Sequence, residues 1–152
     1  MKFLLLLLLS FILCVSAHAQ TTNTAYNKVL ADSLGADEYG MKAYILVILK
    51  AGPNKTTDKD KISSLFRGHL DNIGRLAEQG KLIVAGPLGK NEKAYRGIFI
   101  LNVKTKEEAE AILDTDPAVK EQLLEAELYE WYGSAALPLY LKSNNKIVKK
   151  RP

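Results

Sequence analysis

Between Met41 and Lys50 the chain reads Met-Lys-Ala-Tyr-Ile-Leu-Val-Ile-Leu-Lys, an apolar run with little alternation. A run of this kind predicts a strand covered on both faces, so the fold must lay something against each side of its sheet. Ala51-Gly52-Pro53-Asn54 breaks the strand and a polar, Lys/Asp-rich loop follows. From Asp60 the apolar residues Ile62, Leu65, Phe66, Leu70, Ile73, Leu76 and Ala77 recur at helical spacing, and Gly80 ends that helix. Lys81 to Ala85 reads as a second strand closed by Gly86-Pro87, and Tyr95 to Val103 as a third. Thr105 with Glu108 three residues on is a capping box for a second helix. Asp116-Pro117 opens a further helical turn, and Leu123 to Tyr132 is the last strand. The order βαββαβ predicts an α+β, ferredoxin-like subunit, with an antiparallel sheet covered by helices on one face. No spare helix remains for the other face. A second copy of the chain is therefore the expected cover, giving a homodimer closed into an α+β barrel.

The flanks read differently. Residues 1–19 have the form of a signal peptide: Lys2, an apolar stretch from Phe3 to Val15, and the small-x-small ending Ala17-His18-Ala19. The apolar stretch is shorter than the roughly 20 residues a membrane span needs. The expected mature protein begins near Gln20, is periplasmic or secreted, and has no membrane insertion once the signal is cleaved. Cys14 is the only cysteine, so the mature chain has neither disulfides nor thiolate chemistry, and one histidine cannot build a Cys/His zinc site. Residues 20–40 read as a polar leader with a short helical stretch around Tyr26, Val29, Leu30 and Leu34. Residues 134–152 form a basic tail expected to be solvated and frayed. The formal charge of +4 becomes +3 without Lys2. The tail from Ser134 carries +5 through Lys142, Lys146, Lys149, Lys150 and Arg151 with no acid, so a net +3 leaves the body between at −2.

The domain proper, 41–133, contains a lone histidine. His69 lies three after Phe66 and four before Ile73, so it projects with the apolar stripe toward the sheet. Imidazole changes charge nearest physiological pH, which suits general acid–base work when a carboxylate orients it. The same position suits a core histidine bonded to a backbone carbonyl. Asp116 is the candidate partner, although a residue before Pro117 is equally a natural N-cap. The aromatic group Tyr129, Trp131 and Tyr132 suits a pocket wall or a dimer seam. RNA-recognition domains share this βαββαβ order, but stack bases on aromatics of the third strand. Here those positions are Ile98, Ile100 and Val103, and the body is net acidic, so nucleic acid is rejected as a partner. No phosphate-binding glycine loop or metal-suited acidic cluster is present.

Arg67-Gly68-His69-Leu70, Gly80-Lys81-Leu82, Ala85-Gly86-Pro87-Leu88, Gly97, Glu108-Ala109, Asp116-Pro117 and Trp131, in this order, resemble the YciI-like (YCII-related) family. The resemblance runs from about Met41 to Gly133. It implies a ferredoxin-like subunit in a dimeric barrel, with a pocket holding a His–Asp pair that maps onto His69 and Asp116. It also implies an enzyme without metal or organic cofactor, acting on a small molecule. Where the family carries a bulky aromatic after Asp-Pro this chain has Ala118, which alters the expected pocket wall. The expectation is then a cofactor-free enzyme of isomerase or lyase type, with catalytic His69 and Asp116 and substrate-binding Arg67, Pro87, Tyr95 and Trp131. A non-catalytic ligand-binding module and a purely structural dimer are the alternatives.

Overall fold

The computed structural model describes residues 23–149. The expected signal segment, 1–19, lies outside them. The described chain runs α1 (Lys28–Leu34), β1 (Met41–Ala51), α2 (Lys59–Glu78), β2 (Leu82–Pro87), β3 (Tyr95–Leu101), α3 (Lys106–Leu113), α4 (Pro117–Lys120), β4 (Leu124–Ser134), a 3-10 turn (Leu137–Tyr140) and α5 (Leu141–Ile147). The four strands pair antiparallel in the order β2-β3-β1-β4. That is the ferredoxin-like arrangement expected from the order of elements.

Strand β1 alone does not settle which face meets the helices, because both of its faces are apolar. Its neighbour β4 does. Leu124, Ala126 and Leu128 pair with Ala51, Leu49 and Val47, and all of them face the helical layer. On the opposite side Glu125 and Glu127 pair with Lys50 and Ile48, and Lys50 Nζ bonds Glu127 at 2.7 Å. A slip of one residue would drive those charges into the core. Ile45, Val47, Leu49, Phe99 and Leu101 from the sheet pack on Leu76, Ile112, Leu113 and Ala118. Each such large aliphatic or aromatic side chain contributes about 1.5–3 kcal/mol when fully buried.

The second face carries Leu46, Ile48, Ile98 and Ile100, all half-buried, as cross-strand neighbours. Tyr44 belongs to that face and is fully buried, against Trp131 with ring centroids 5.6 Å apart. Its hydroxyl donates to the Ser134 carbonyl at 2.9 Å.

The basic tail departs from expectation. Strand β4 extends to Ser134, Ala135 is buried, and residues 137–147 are helical. The Tyr140 hydroxyl donates to the Ile83 carbonyl, so the segment spans from edge strand β4 to edge strand β2. Ala135 and Tyr140 hold the segment there, and counting only its lysines hides them.

Candidate functional site

Helix α2 is capped by Asp58, whose side chain accepts from the backbone N–H groups of Asp60 and Lys61. Three of its residues are buried, His69, Asn72 and Leu76, at i, i+3 and i+7 of one face. That face meets the turn carrying Asp116. A Cβ on Gly68 would stand 2.7 Å from Pro117 Cγ, so glycine is what lets the helix come this close.

Asp116 is 1% exposed and uses both carboxylate oxygens. Oδ1 accepts from the backbone N–H of Ala118 at 2.9 Å and of Val119 at 3.4 Å, capping α4. Oδ2 meets His69 Nδ1 at 2.6 Å. The cap and the histidine contact are thus one residue's two ends and do not compete. Because a carboxylate only accepts, the proton of neutral His69 is assigned to Nδ1, which leaves Nε2 with its lone pair. The ring stacks on Phe99, centroids 5.9 Å apart and 23° between planes, with Phe66 edge-on at 6.1 Å. Nε2 has no hydrogen-bond partner among the described residues, yet no buried polar side-chain atom there is left unpartnered. Nε2 therefore keeps contact with solvent.

A second set of bonds holds the turn. Thr115 Oγ1 donates to Asn72 Oδ1 at 3.1 Å, and the Arg75 guanidinium donates to both Asn72 Oδ1 and, at 2.9 Å, Thr115 Oγ1. These bonds tie the residue before Asp116 to the helix one turn beyond His69.

His69 opens into a cavity of about 810 Å³ between α2, the C-terminal end of β1 and the facing ends of β2 and β3. Its walls are mostly apolar, with Ile62, Phe66, Leu70 and Ile73 along the helix and Leu49 and Phe99 on the sheet. Phe66 and Leu70 are 39% and 42% exposed, so these two residues of the predicted core stripe of α2 face this space instead of the core. The loop after β1 closes one side. There Gly52 lies so near the Gln122 carbonyl that any Cβ would overlap it, at 2.1 Å. Asn54 Nδ2 donates to the Glu121 carbonyl at 2.8 Å, fixing the loop.

Of the other residues expected to bind substrate, Pro87 lines the cavity. The remaining three stand elsewhere. Arg67 is exposed, two residues from His69 and so turned well away from it on the helix. Tyr95 pairs with Lys50 on the second sheet face and borders a separate shallow depression with Leu88 and Lys93. Trp131 packs on Tyr44, on that same second face. Ala118 is fully buried in the core, so the departure at this position does not reach the cavity wall. The residues not foreseen are Lys55, Thr56 and Arg96, which line the cavity. Arg96 escapes sequence reading because Leu49 pairs with Gly97 and Lys50 with Tyr95, which makes Arg96 an extra, bulged residue. Among the described residues no group of three or more His, Cys, Asp or Glu side chains is placed to hold a metal ion.

The chain matches the sequence model of the YCII-related domain over residues 43–132. No curated protein matches it in sequence. Among solved structures it is similar to 5-chloro-2-hydroxyhydroquinone dehydrochlorinase (TftG) from Burkholderia phenoliruptrix AC1100, in complex with 2,5-dihydroxybenzoquinone. The identity is 21%, the alignment covers 58% of this chain and 92% of that one, and the TM-score is 0.43. With the domain match spanning more than half of its length, the chain belongs to the YCII-related family.

Proposed function

We propose that this protein is a cofactor-free enzyme that moves a proton on a small molecule bound in the His69 cavity. One observation carries the proposal: a buried His69–Asp116 contact of 2.6 Å whose outer nitrogen keeps solvent contact, in a wall of an apolar, ligand-sized cavity. His69 Nε2 takes a proton from a C–H bond beside a carbonyl, and the electron pair of that bond passes to the carbonyl oxygen as an enolate. Asp116 accepts the Nδ1 hydrogen bond throughout and stabilises the imidazolium so formed. Return of the proton to another carbon regenerates imidazole and completes an isomerisation. Departure of a β substituent with its bonding pair completes an elimination instead, and the proton on His69 Nε2 then passes to the leaving group or to solvent, which regenerates imidazole. A ligand filling the cavity displaces water from Nε2, and the apolar walls then raise the value of each charge–dipole contact.

The same proposal includes a homodimer joined through the second sheet face and an exported mature chain starting near Gln20. The half-buried row Leu46, Ile48, Ile98 and Ile100 supports the dimer. The pattern of residues 1–19 supports export. Mass spectrometry of the protein from its native host tests the second point, and an intact Met1 contradicts it.

The enzymatic claim is tested by solvent deuterium incorporation into a panel of small carbon acids: β-keto lactones, cyclic diketones and arylpyruvates. Wild type should catalyse exchange on at least one class, and His69→Gln should lose about 10²–10⁴-fold of that rate. Exchange that His69→Gln leaves unchanged, or no exchange by wild type across the panel, removes the proton-transfer reading.

A further inference from the structure

The cavity has a charge as well as a shape. Two cationic side chains, Lys55 and Arg96, line it together with His69, and no aspartate or glutamate does. They come from different elements. Lys55 sits in the loop after β1, where its ammonium donates to the Gly52 carbonyl at 2.8 Å and so stays folded back toward the cavity. Arg96 is the bulged residue of β3. With Tyr95 on the second sheet face and Gly97 in register on the helical side, the extra residue puts the Arg96 side chain in the cavity lining. Its backbone is held there: the Arg96 carbonyl accepts from Leu88 N–H at 2.8 Å, and Gly97 approaches the Gly86 carbonyl too closely for any side chain. Ala94, just before the bulge, has a left-handed backbone at φ 56°, a conformation that costs a non-glycine residue energy and that clusters at functional sites. Among the described residues the Arg96 guanidinium has no ion pair and no hydrogen bond. Arg96 and Lys55 are both exposed and so stand at the mouth of a mostly apolar cavity, where an unpaired guanidinium is placed to meet an oxyanion with both arms of its fork.

We infer that the ligand of this cavity is an organic anion with an apolar body, and that Arg96, assisted by Lys55, is the residue that selects for its charge. The carboxylate or enolate oxygen lies against the Arg96 fork, and the body lies along Phe66, Leu70 and Phe99. With only two cations against a mostly aliphatic and aromatic wall, a single anionic group is the best match, and polyphosphates are poor ligands. The assignment deepens the proton-transfer reading, since the same cations that recognise the anion also favour the negative charge that develops when His69 removes a proton.

The test is equilibrium binding by calorimetry with pairs of ligands in which a methyl group replaces the negative charge: phenylpyruvate, benzoate and cyclohexanecarboxylate, each beside its methyl ester. Wild type should bind at least one acid about tenfold or more tightly than its ester, and added salt should erode the difference. Arg96→Gln and Lys55→Gln should each weaken the acid and leave the ester unchanged. Arg96→Lys, which keeps the charge but not the fork, should fall between. Lys55 lies on a different element from Arg96, so the assignment can still be judged should Arg96→Gln disturb the bulge. If no acid outbinds its ester, or if the substitutions weaken both members of a pair alike, the assignment is overturned. His69→Gln separates this result from the proton-transfer reading: it should keep the preference for acid over ester while losing deuterium exchange. A charge preference without any exchange in wild type would leave the anion site standing and remove the catalytic reading.

Discussion

Gly68 and Pro117 flank the His69–Asp116 contact, and their separation sets it: a methyl group on Gly68 would stand 2.7 Å from Pro117 Cγ, well inside van der Waals contact. An ordinary helix gains about 1 kcal/mol from Gly→Ala. Here the overlap should cost roughly 1–3 kcal/mol and push the helix away from the Asp116 turn. Gly68→Ala is therefore expected to lower the stability measured by denaturant unfolding and to lower exchange activity. A more stable, fully active variant would show that the close approach has no role.

Asp116 carries two duties that substitution can separate. Asp116→Asn keeps most N-capping ability and should cost little through the cap, but it removes the negative charge beside His69. Asp116→Ala loses both and should unfold with roughly 0.5–2 kcal/mol less stability than the asparagine variant through the cap alone. Both should lose activity. Equal stabilities for the two would mean that the Oδ1 bonds to Ala118 and Val119 contribute nothing measurable.

The second sheet face predicts the oligomeric state. Ile48 and Ile98 are cross-strand partners there. Ile48→Lys with Ile98→Glu sets opposite charges across the strand pair, which the sheet of a single chain tolerates, but a buried seam does not. Wild type should sediment as two chains at micromolar concentration and the double variant as one, with its circular dichroism unchanged. A wild-type mass of one chain would contradict the dimer.

At the leader, the Tyr132 hydroxyl donates to Asp37, and Asp37 also accepts from the N–H groups of Tyr39 and Met41. The Tyr132 bond, then those N–H groups, hold the Asp37 carboxyl below its ordinary 3.8, while the carboxylate pushes the Tyr132 phenol from 10.0 up to about 12. A lowered carboxyl stabilises the clamp above its unfolded value and loses that contribution as pH falls through the folded one. A raised phenol stabilises it below 10 and loses that contribution as pH rises through about 12. The clamp should therefore hold across the neutral range and release at both extremes. In an ultraviolet titration, Asp37→Asn should bring the Tyr132 midpoint down toward 10. An unchanged midpoint would show that the bond does not form in solution.

Much of this was legible in the residues. Apolar periodicity placed α2, the Thr105–Glu108 capping box placed α3, and Asp116-Pro117 announced its own cap, all from interactions within a few residues. What was not legible depends on pairing between distant segments. Whether Asp116 reaches His69 is decided by the packing of α4 on α2. Arg96 enters the cavity because β1 and β3 slip by one residue at Leu49–Lys50, a register that no local pattern records. Arg67 stands in the motif Arg67-Gly68-His69-Leu70, but two residues along a helix from His69 is most of the way to the opposite face. Trp131 and Tyr95 belong to the second sheet face, so their aromatic character speaks to that surface and not to the cavity.

The central claim is that Asp116 orients His69 so that Nε2 presents its lone pair to the cavity. NMR of the ring nitrogens of His69, recorded at alkaline pH where imidazole is neutral, reads this directly. The wild-type protein should show a protonated, pyrrole-type Nδ1 and a bare, pyridine-type Nε2. Asp116→Asn should weaken that preference and mix the two tautomers. A wild-type ring with its proton on Nε2, or a tautomer that Asp116→Asn leaves unchanged, would contradict the account.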